Sequence, residues 1–185
     1  MHDHLMWREV RRRKAASCPI FDVYVSERRS ADGKTGKFTI LTAPDWVNVI
    51  PVVRNGAGEE CFLMVRQYRH GMEGLTVEFP AGLVAPAENP LHAAERELLE
   101  ETGRKAGRMS LLGKVSPNPA FMTNWCWTYL AEDLGTEGPG MPDDLEILDL
   151  LEVPVREVEA RVGEGEYVNS LVMVALLWYT RRRTP

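Results

Sequence analysis

The chain is poor in the residues that mark several common functions. It has three cysteines in 185 residues, Cys18, Cys61 and Cys126, and no two stand at a metal-binding spacing. Cys61 and Cys126 lie in apolar runs, where a free thiol acts as a small core hydrophobe in a reducing compartment. No run approaches the roughly 20 apolar residues of a membrane helix, and the longest, residues 171–179, is expected to be a short buried helix. The opening stretch MHDHLMWREVRRRK has no apolar core of leader-peptide length, so a cytoplasmic protein is expected. An excess of positive charge is also missing. A net charge of -5 and a pI near 5.5 argue against a nucleic-acid partner. The short basic runs at residues 11–14 and 181–183 read as solvated ends.

What is present is an unusual concentration of carboxylates in residues 82–103, GLVAPAENPLHAAERELLEETG. Asn89 followed by Pro90 predicts a helix start, since Asn caps orphan amides and Pro suits the first helical position. Gly103 predicts the stop. Leu91, Ala94 and Leu98 recur at helical spacing and define an apolar face. Glu97, Glu100 and Glu101 stand at i, i+3 and i+4, so their carboxylates converge on one side of that helix. Two readings are open at this point. One is a solvated acidic face; the other is a ligand set for a hard divalent cation that offsets the mutual repulsion.

The company of these residues separates the readings. Gly82, Glu88, Arg96-Glu97-Leu98, Glu100-Glu101 and Gly103 match every fixed polar and glycine position of the Nudix box, G-x5-E-x7-R-E-U-x-E-E-x-G-U with U aliphatic, and the stretch resembles that box. The one departure is Arg104 at the last aliphatic position, which concerns packing rather than chemistry. The resemblance implies an α/β/α sandwich with a mixed β-sheet, and Mg²⁺ (with Mn²⁺ as an alternative) held by Glu97, Glu100, Glu101 and the Ala81 carbonyl. It implies a catalytic role for Glu100 and Glu101, with Arg96 pairing a box carboxylate such as Glu88 and orienting it.

At 185 residues, with 44% hydrophobic residues, the chain suits one domain of ordinary size, or one domain with a small extension. Phe21, Val23 and Val25 alternate with polar residues, a turn-rich stretch follows, and Phe38, Ile40 and Leu41 resume, which predicts a β-hairpin. A lone hairpin is marginal in water and needs a partner surface. The domain boundary is therefore set at residues 1–44 for the hairpin extension and 45–185 for the hydrolase domain. In the ADP-ribose subgroup of the family a similar extension builds a homodimer, and the resemblance implies one here.

Further strands are expected at residues 46–53, 61–65, 75–80, 109–115, 125–131 and 147–153, and helices at 154–162 and 170–179. Arg66 and Arg69 close one strand, and guanidinium forks suit phosphate oxygens; surface charge is the alternative. The tract VRQYRHG resembles the ADP-ribose subgroup, which implies substrate-binding roles for Arg69 and Arg66. The E-x-P-A-G form at Glu78–Gly82 is similar to sugar-nucleotide and ADP-ribose hydrolases of the family, which implies a substrate or metal-water contact for Glu78, with an exposed strand-end carboxylate as the alternative. Pro119, or Pro117, fits a proline marker of that subgroup beyond the box. Residues 135–144 are flexible by composition and lead to Glu146, which is the candidate general base with Asp144 and Asp143 in reserve. Trp7 and Trp46 are candidates to stack on a base or to pack.

The function expected is metal-dependent hydrolysis of a nucleoside diphosphate linked to another moiety, with ADP-ribose split into AMP and ribose 5-phosphate as the leading candidate. The alternatives are another nucleotide sugar, coenzyme A or a dinucleoside polyphosphate as substrate, or a module that senses a nucleotide without hydrolysing it. Sensors of that kind lose box glutamates, and none is lost here.

Overall fold

A computed structural model describes residues 2–141 and 145–183 of the chain. It divides into two compact units, Met1–Asp45 with Ser116–Trp125, and Trp46–Val115 with Cys126–Pro185.

The first unit is an antiparallel three-stranded sheet of β1 (Trp7–Ser17), β2 (Asp22–Ser30) and β3 (Thr35–Thr42). The expected hairpin is β2–β3. The sequence reading missed β1, because its run of Arg11, Arg12, Arg13 and Lys14 hides any alternation of apolar residues. Arg12 and Lys14, two residues apart, share a face of the sheet, and a register shift between Glu9 and Arg11 brings Trp7 onto that same face. Arg12 and Lys14 reach the Tyr24 ring, the Arg12 guanidinium lying 4.1 Å from its centroid, and Trp7 meets Phe38 edge-on at 5.3 Å. Every residue of β1 is exposed. Residues 116–125 join this unit through Leu41, whose amide donates to Phe121 O at 2.7 Å and whose carbonyl accepts from Thr123 N at 3.1 Å.

The second unit is a mixed sheet built from β4 (Trp46–Arg54), β5 (Glu60–Arg69), β6 (Gly74–Glu78), β7 (Ala81–Leu83), β8 (Arg104–Val115), β9 (Cys126–Thr136) and β10 (Leu148–Pro154). The main order is β10-β5-β4-β9-β8, with β6 on β5 and β7 on β4. Among the described residues of this sheet, only the β4–β9 pair is parallel. The β4–β5 hairpin pairs only at Val52–Arg54 against Glu60–Phe62. Beyond that the two strands part, and β6 and β7 fill the gap, with Val49 N donating to Pro80 O at 2.8 Å.

Helices cover both faces. On β4, Val47 and Val49 pack with Ala93, Ala94 and Leu98 of α1 (Pro90–Thr102). Ile50, of opposite parity, packs with Val158 of α2 (Val155–Arg161) and with Val172, Ala175 and Tyr179 of α3 (Ser170–Arg183). Alternation along one strand thus creates the two outer layers of the expected α/β/α sandwich. One expectation is corrected. The apolar run at residues 171–179 is expected as a buried helix, yet Met173 and Leu177 of α3 are exposed at 40% and 55%, because only one side of the helix meets the sheet. Among the described residues no helix is long and apolar enough to cross a membrane.

Candidate active site

The box helix begins and ends where its sequence dictates. Asn89 Oδ1 accepts from Leu91 N at 2.9 Å, a cap worth about 1 kcal/mol, and Pro90 follows at N1. Gly103 takes φ 64 at the C-cap, and its amide donates to Leu99 O at 2.8 Å. Helical periodicity then decides which carboxylates are buried. Ala94, Leu98, Glu97 and Glu101 all face inward, so Glu97 is 7% and Glu101 only 4% exposed. An acidic face turned to solvent is therefore excluded for these two. Burying carboxylates against a sheet is costly unless something neutralises them.

Arg96 supplies part of that neutralisation. Its Nη1 donates to Glu97 Oε1 at 2.7 Å and Glu100 Oε2 at 2.9 Å, its Nε to Glu88 Oε1 at 3.2 Å, and its Nη2 to the Leu83 carbonyl at 2.9 Å. Burial alone would lower the Arg96 guanidinium, but these carboxylates outweigh it and raise it above its ordinary value. Glu88 also accepts from Ala85 N at 2.8 Å, and with Arg96 this holds its carboxyl below the usual range. One guanidinium thus ties the loop before the helix to two of the three clustered glutamates.

Glu101 is left without such help. Its Oε2 is buried and has no hydrogen-bond partner among the described residues. Burial, then the charges of Glu97 and Glu146, push its carboxyl up to about 9, against weaker pulls from the Ala81 backbone and Arg69. Burial likewise raises Glu97, with Glu100 and Glu146 adding to it and Arg96 opposing. Gly82 explains how Glu97 comes so close to β7. A Cβ at Gly82 would fall 2.0 Å from Glu97 Oε1, so any other residue would displace the carboxylate.

These groups fit a divalent cation by their chemistry: hard oxygen donors, mutual repulsion and an orphaned buried carboxylate oxygen. Among the described residues, no three His, Cys, Asp or Glu side chains converge closely enough to ligate an ion as they stand. Arg96 lies between Glu97 and Glu100 instead. Ala81 opens β7 beside Asn48, and its backbone lies close enough to favour the charged form of Glu101.

Strand parity separates the two candidate arginines. Arg69 lies on the same face of β5 as Glu78, and its raised guanidinium is influenced by Glu78 first and also by Glu101 and Glu146. Arg66, three residues earlier, projects to the opposite face and pairs with Glu166 at 3.0 Å. The structure brings Arg69, but not Arg66, toward the box carboxylates. Glu78 is 3% exposed and engages Arg69 through both oxygens. Pro119 is exposed and belongs to the other compact unit.

Glu146 is exposed, lies two residues before β10, and its charge is felt at Glu97, Glu101 and Arg69. Its reserves Asp143 and Asp144 lie outside the described residues. The glycines leading to it do more than loosen the chain. Gly138 O is 2.1 Å from where a Cβ on Gly103 would be, and a Cβ on Gly140 would be 2.7 Å from Glu100 O. Glu137 N donates to Gly103 O at 3.0 Å. The segment therefore packs backbone-on-backbone against the last turn of α1. By composition these glycines suggest only flexibility, because their contact partner is more than thirty residues away in the chain. Arg104, the box departure, donates to the Thr136 hydroxyl across the β8–β9 pair, so a side-chain hydrogen bond replaces the aliphatic contact.

A family model described as the NUDIX domain matches residues 44–170. The chain belongs to that family. The ADP-ribose pyrophosphatase of Bacillus subtilis (strain 168) is 30% identical over 158 residues, covering 85% of this chain and 83% of that protein. The methanol dehydrogenase activator of Bacillus methanolicus is 30% identical over 159 residues, again covering 85% and 83%. A solved structure titled "Crystal structure of ADP compounds hydrolase" superposes with a TM-score of 0.83 at 22% identity, over 95% of this chain and 93% of that one, and supports the fold. The box helix, the β6–β7 turn and the sheet that carries Arg69 all lie inside the NUDIX match.

Proposed function

We propose that this Nudix hydrolase splits the diphosphate of ADP-ribose, releasing AMP and ribose 5-phosphate. The observation that carries the reading is Glu101, buried at 4% exposure with an orphaned oxygen beside Glu97. A fold keeps so costly a group where a cation is to complete it. Glu97, Glu100, Glu101 and the Ala81 carbonyl would hold Mg²⁺ or Mn²⁺. Such a cation offsets phosphate charge and acidifies water.

The remaining work falls to the chain. Arg69 offers a guanidinium to the diphosphate oxygens. Arg96 orients Glu97 and Glu100. Glu146 takes the proton of the attacking water as a P–O bond forms to one phosphorus and the bridging P–O bond breaks. Pro119 is proposed as a substrate contact of the ADP-ribose subgroup. The choice of ADP-ribose rests on the subgroup-like tracts around Arg69 and Glu78, and on a pyrophosphatase among the 30%-identical relatives.

The chain is also proposed to act as a homodimer. β1 presents an eleven-residue edge strand that is exposed throughout, with Trp7 and Val10 at 38% and 62% exposure. Long exposed edges of this kind call for a partner. A stable monomer in light scattering at micromolar concentration contradicts the dimer.

The activity is tested by chromatography of products from ADP-ribose with Mg²⁺ and with EDTA. AMP and ribose 5-phosphate in equal amounts, only with Mg²⁺, support the reading. No cleavage in either condition, or cleavage indifferent to EDTA, contradicts it.

A further inference from the structure

Glu78 stands three residues before the Ala81 carbonyl, a place where a carboxylate invites assignment to substrate or cation. Its surroundings say otherwise. The side chain is buried, and both oxygens are spent on protein donors. Oε1 accepts from Arg69 Nε at 2.9 Å and from Thr76 Oγ1 at 2.5 Å, and Oε2 accepts from Arg69 Nη2 at 2.7 Å. Asn169, whose Oδ1 caps Leu171 N at 2.8 Å at the start of α3, lies close enough to favour the charged carboxylate. Burial pushes the Glu78 carboxyl up, but Arg69, Thr76 and Asn169 more than offset it and leave it below its ordinary value. Little remains for a ligand.

Arg69 is in the opposite position. Its side-on edge, Nε and Nη2, is fixed by Glu78, while its side chain is 43% exposed and Nη1 makes no hydrogen bond among the described residues. A bidentate clamp removes most of the rotamer freedom of a long side chain, which a phosphate contact would otherwise have to freeze. Parity places this clamp on the β5–β6 face whose charge reaches Glu101 and Glu146.

We infer that Glu78 is a positioning residue: held by Thr76, it clamps the Nε–Nη2 edge of Arg69 so that Nη1 is presented, preset, to a diphosphate oxygen. The inference rests on the diphosphate-hydrolase reading and assigns Glu78 no contact with substrate or cation.

The test is a double-mutant cycle of Glu78→Gln and Arg69→Ala, with Thr76→Val as a milder disturbance of the same clamp. It is read as KM and kcat on ADP-ribose, as the Mg²⁺ concentration for half-maximal activity, and as calorimetric binding of inorganic pyrophosphate. Glu78→Gln keeps the volume, and circular dichroism checks that each variant is folded. The expected result is a roughly tenfold rise in KM for Glu78→Gln with a smaller change in kcat. The Mg²⁺ midpoint stays fixed, and the double variant is no worse than Arg69→Ala alone. Additive losses, or a shift in the Mg²⁺ midpoint, overturn the inference, because a ligand of substrate or cation acts independently of Arg69. Wild-type protein inert toward ADP-ribose sinks the substrate reading instead; the pyrophosphate-binding cycle then still decides the clamp.

Discussion

Gly82 and Glu97 compete for the same space: a Cβ on the glycine would stand 2.0 Å from Oε1 and 2.5 Å from Oε2 of the glutamate. The backbone of β7 and the box helix are thus fitted to each other around a carboxylate. Gly82→Ala should move Glu97 off the strand, cost about 1–3 kcal/mol of stability and reduce turnover at least tenfold. Urea denaturation and steady-state kinetics check both; wild-type values in each contradict the fit.

The clustered glutamates carry the second prediction. Glu100→Gln or Glu101→Gln should lower kcat by a factor on the order of 10² or more while the protein stays folded, the scale of losing transition-state charge stabilisation. Near-normal turnover in both variants contradicts the assignment.

Glu101 also predicts a pH dependence. Its folded carboxyl is raised to about 9 from an ordinary 4.5, so the folded state keeps a proton that the unfolded chain releases. That contribution to stability is complete below about pH 4.5 and is lost as pH rises to about 9. In EDTA, Glu101→Gln should therefore gain on wild type steadily across that window and no further above it. Glu78, whose carboxyl is lowered, works in the other direction at acid pH, which is why the difference between the two proteins is the quantity to measure. A difference in thermal midpoint that does not change between pH 5 and 9 contradicts the burial argument.

Loop registration gives a fourth. Gly140→Ala should push the segment before Glu146 off Glu100 and Glu101, lowering kcat with little change in the Mg²⁺ midpoint. Arg66→Ala, on the opposite face of β5, should change kcat/KM by less than about threefold. Parallel kinetics on the two variants separate the faces, and an Arg66→Ala loss equal to that of Arg69→Ala contradicts the parity argument.

Much of this was legible in the chain because the signals were local. Asn89, Pro90 and Gly103 bound the box helix at the expected residues, and alternation in β4 marks both layers of the sandwich. The helical i, i+3, i+4 spacing brought three glutamates together, but it could not tell that Glu97 and Glu101 are buried while Glu100 remains half-exposed. What stayed hidden depends on distant partners. Asn169 meets Glu78, Glu166 meets Arg66, and Gly140 meets Glu100 across 91, 100 and 40 residues of sequence. Opposite parity of Arg66 and Arg69 was available from their odd separation alone, once the strand was accepted. β1 escaped notice because its side chains are almost all charged, polar or small, and a strand exposed throughout leaves no hydrophobic pattern.

The most direct measurement is kcat/KM with Mg²⁺ across ADP-ribose, other nucleotide sugars, NADH, coenzyme A and dinucleoside polyphosphates, read as phosphatase-coupled phosphate release. The account predicts a clear preference for ADP-ribose that is abolished in Glu101→Gln. Equal or greater turnover of another diphosphate contradicts the substrate. Silence on every compound contradicts the hydrolytic reading of the site itself.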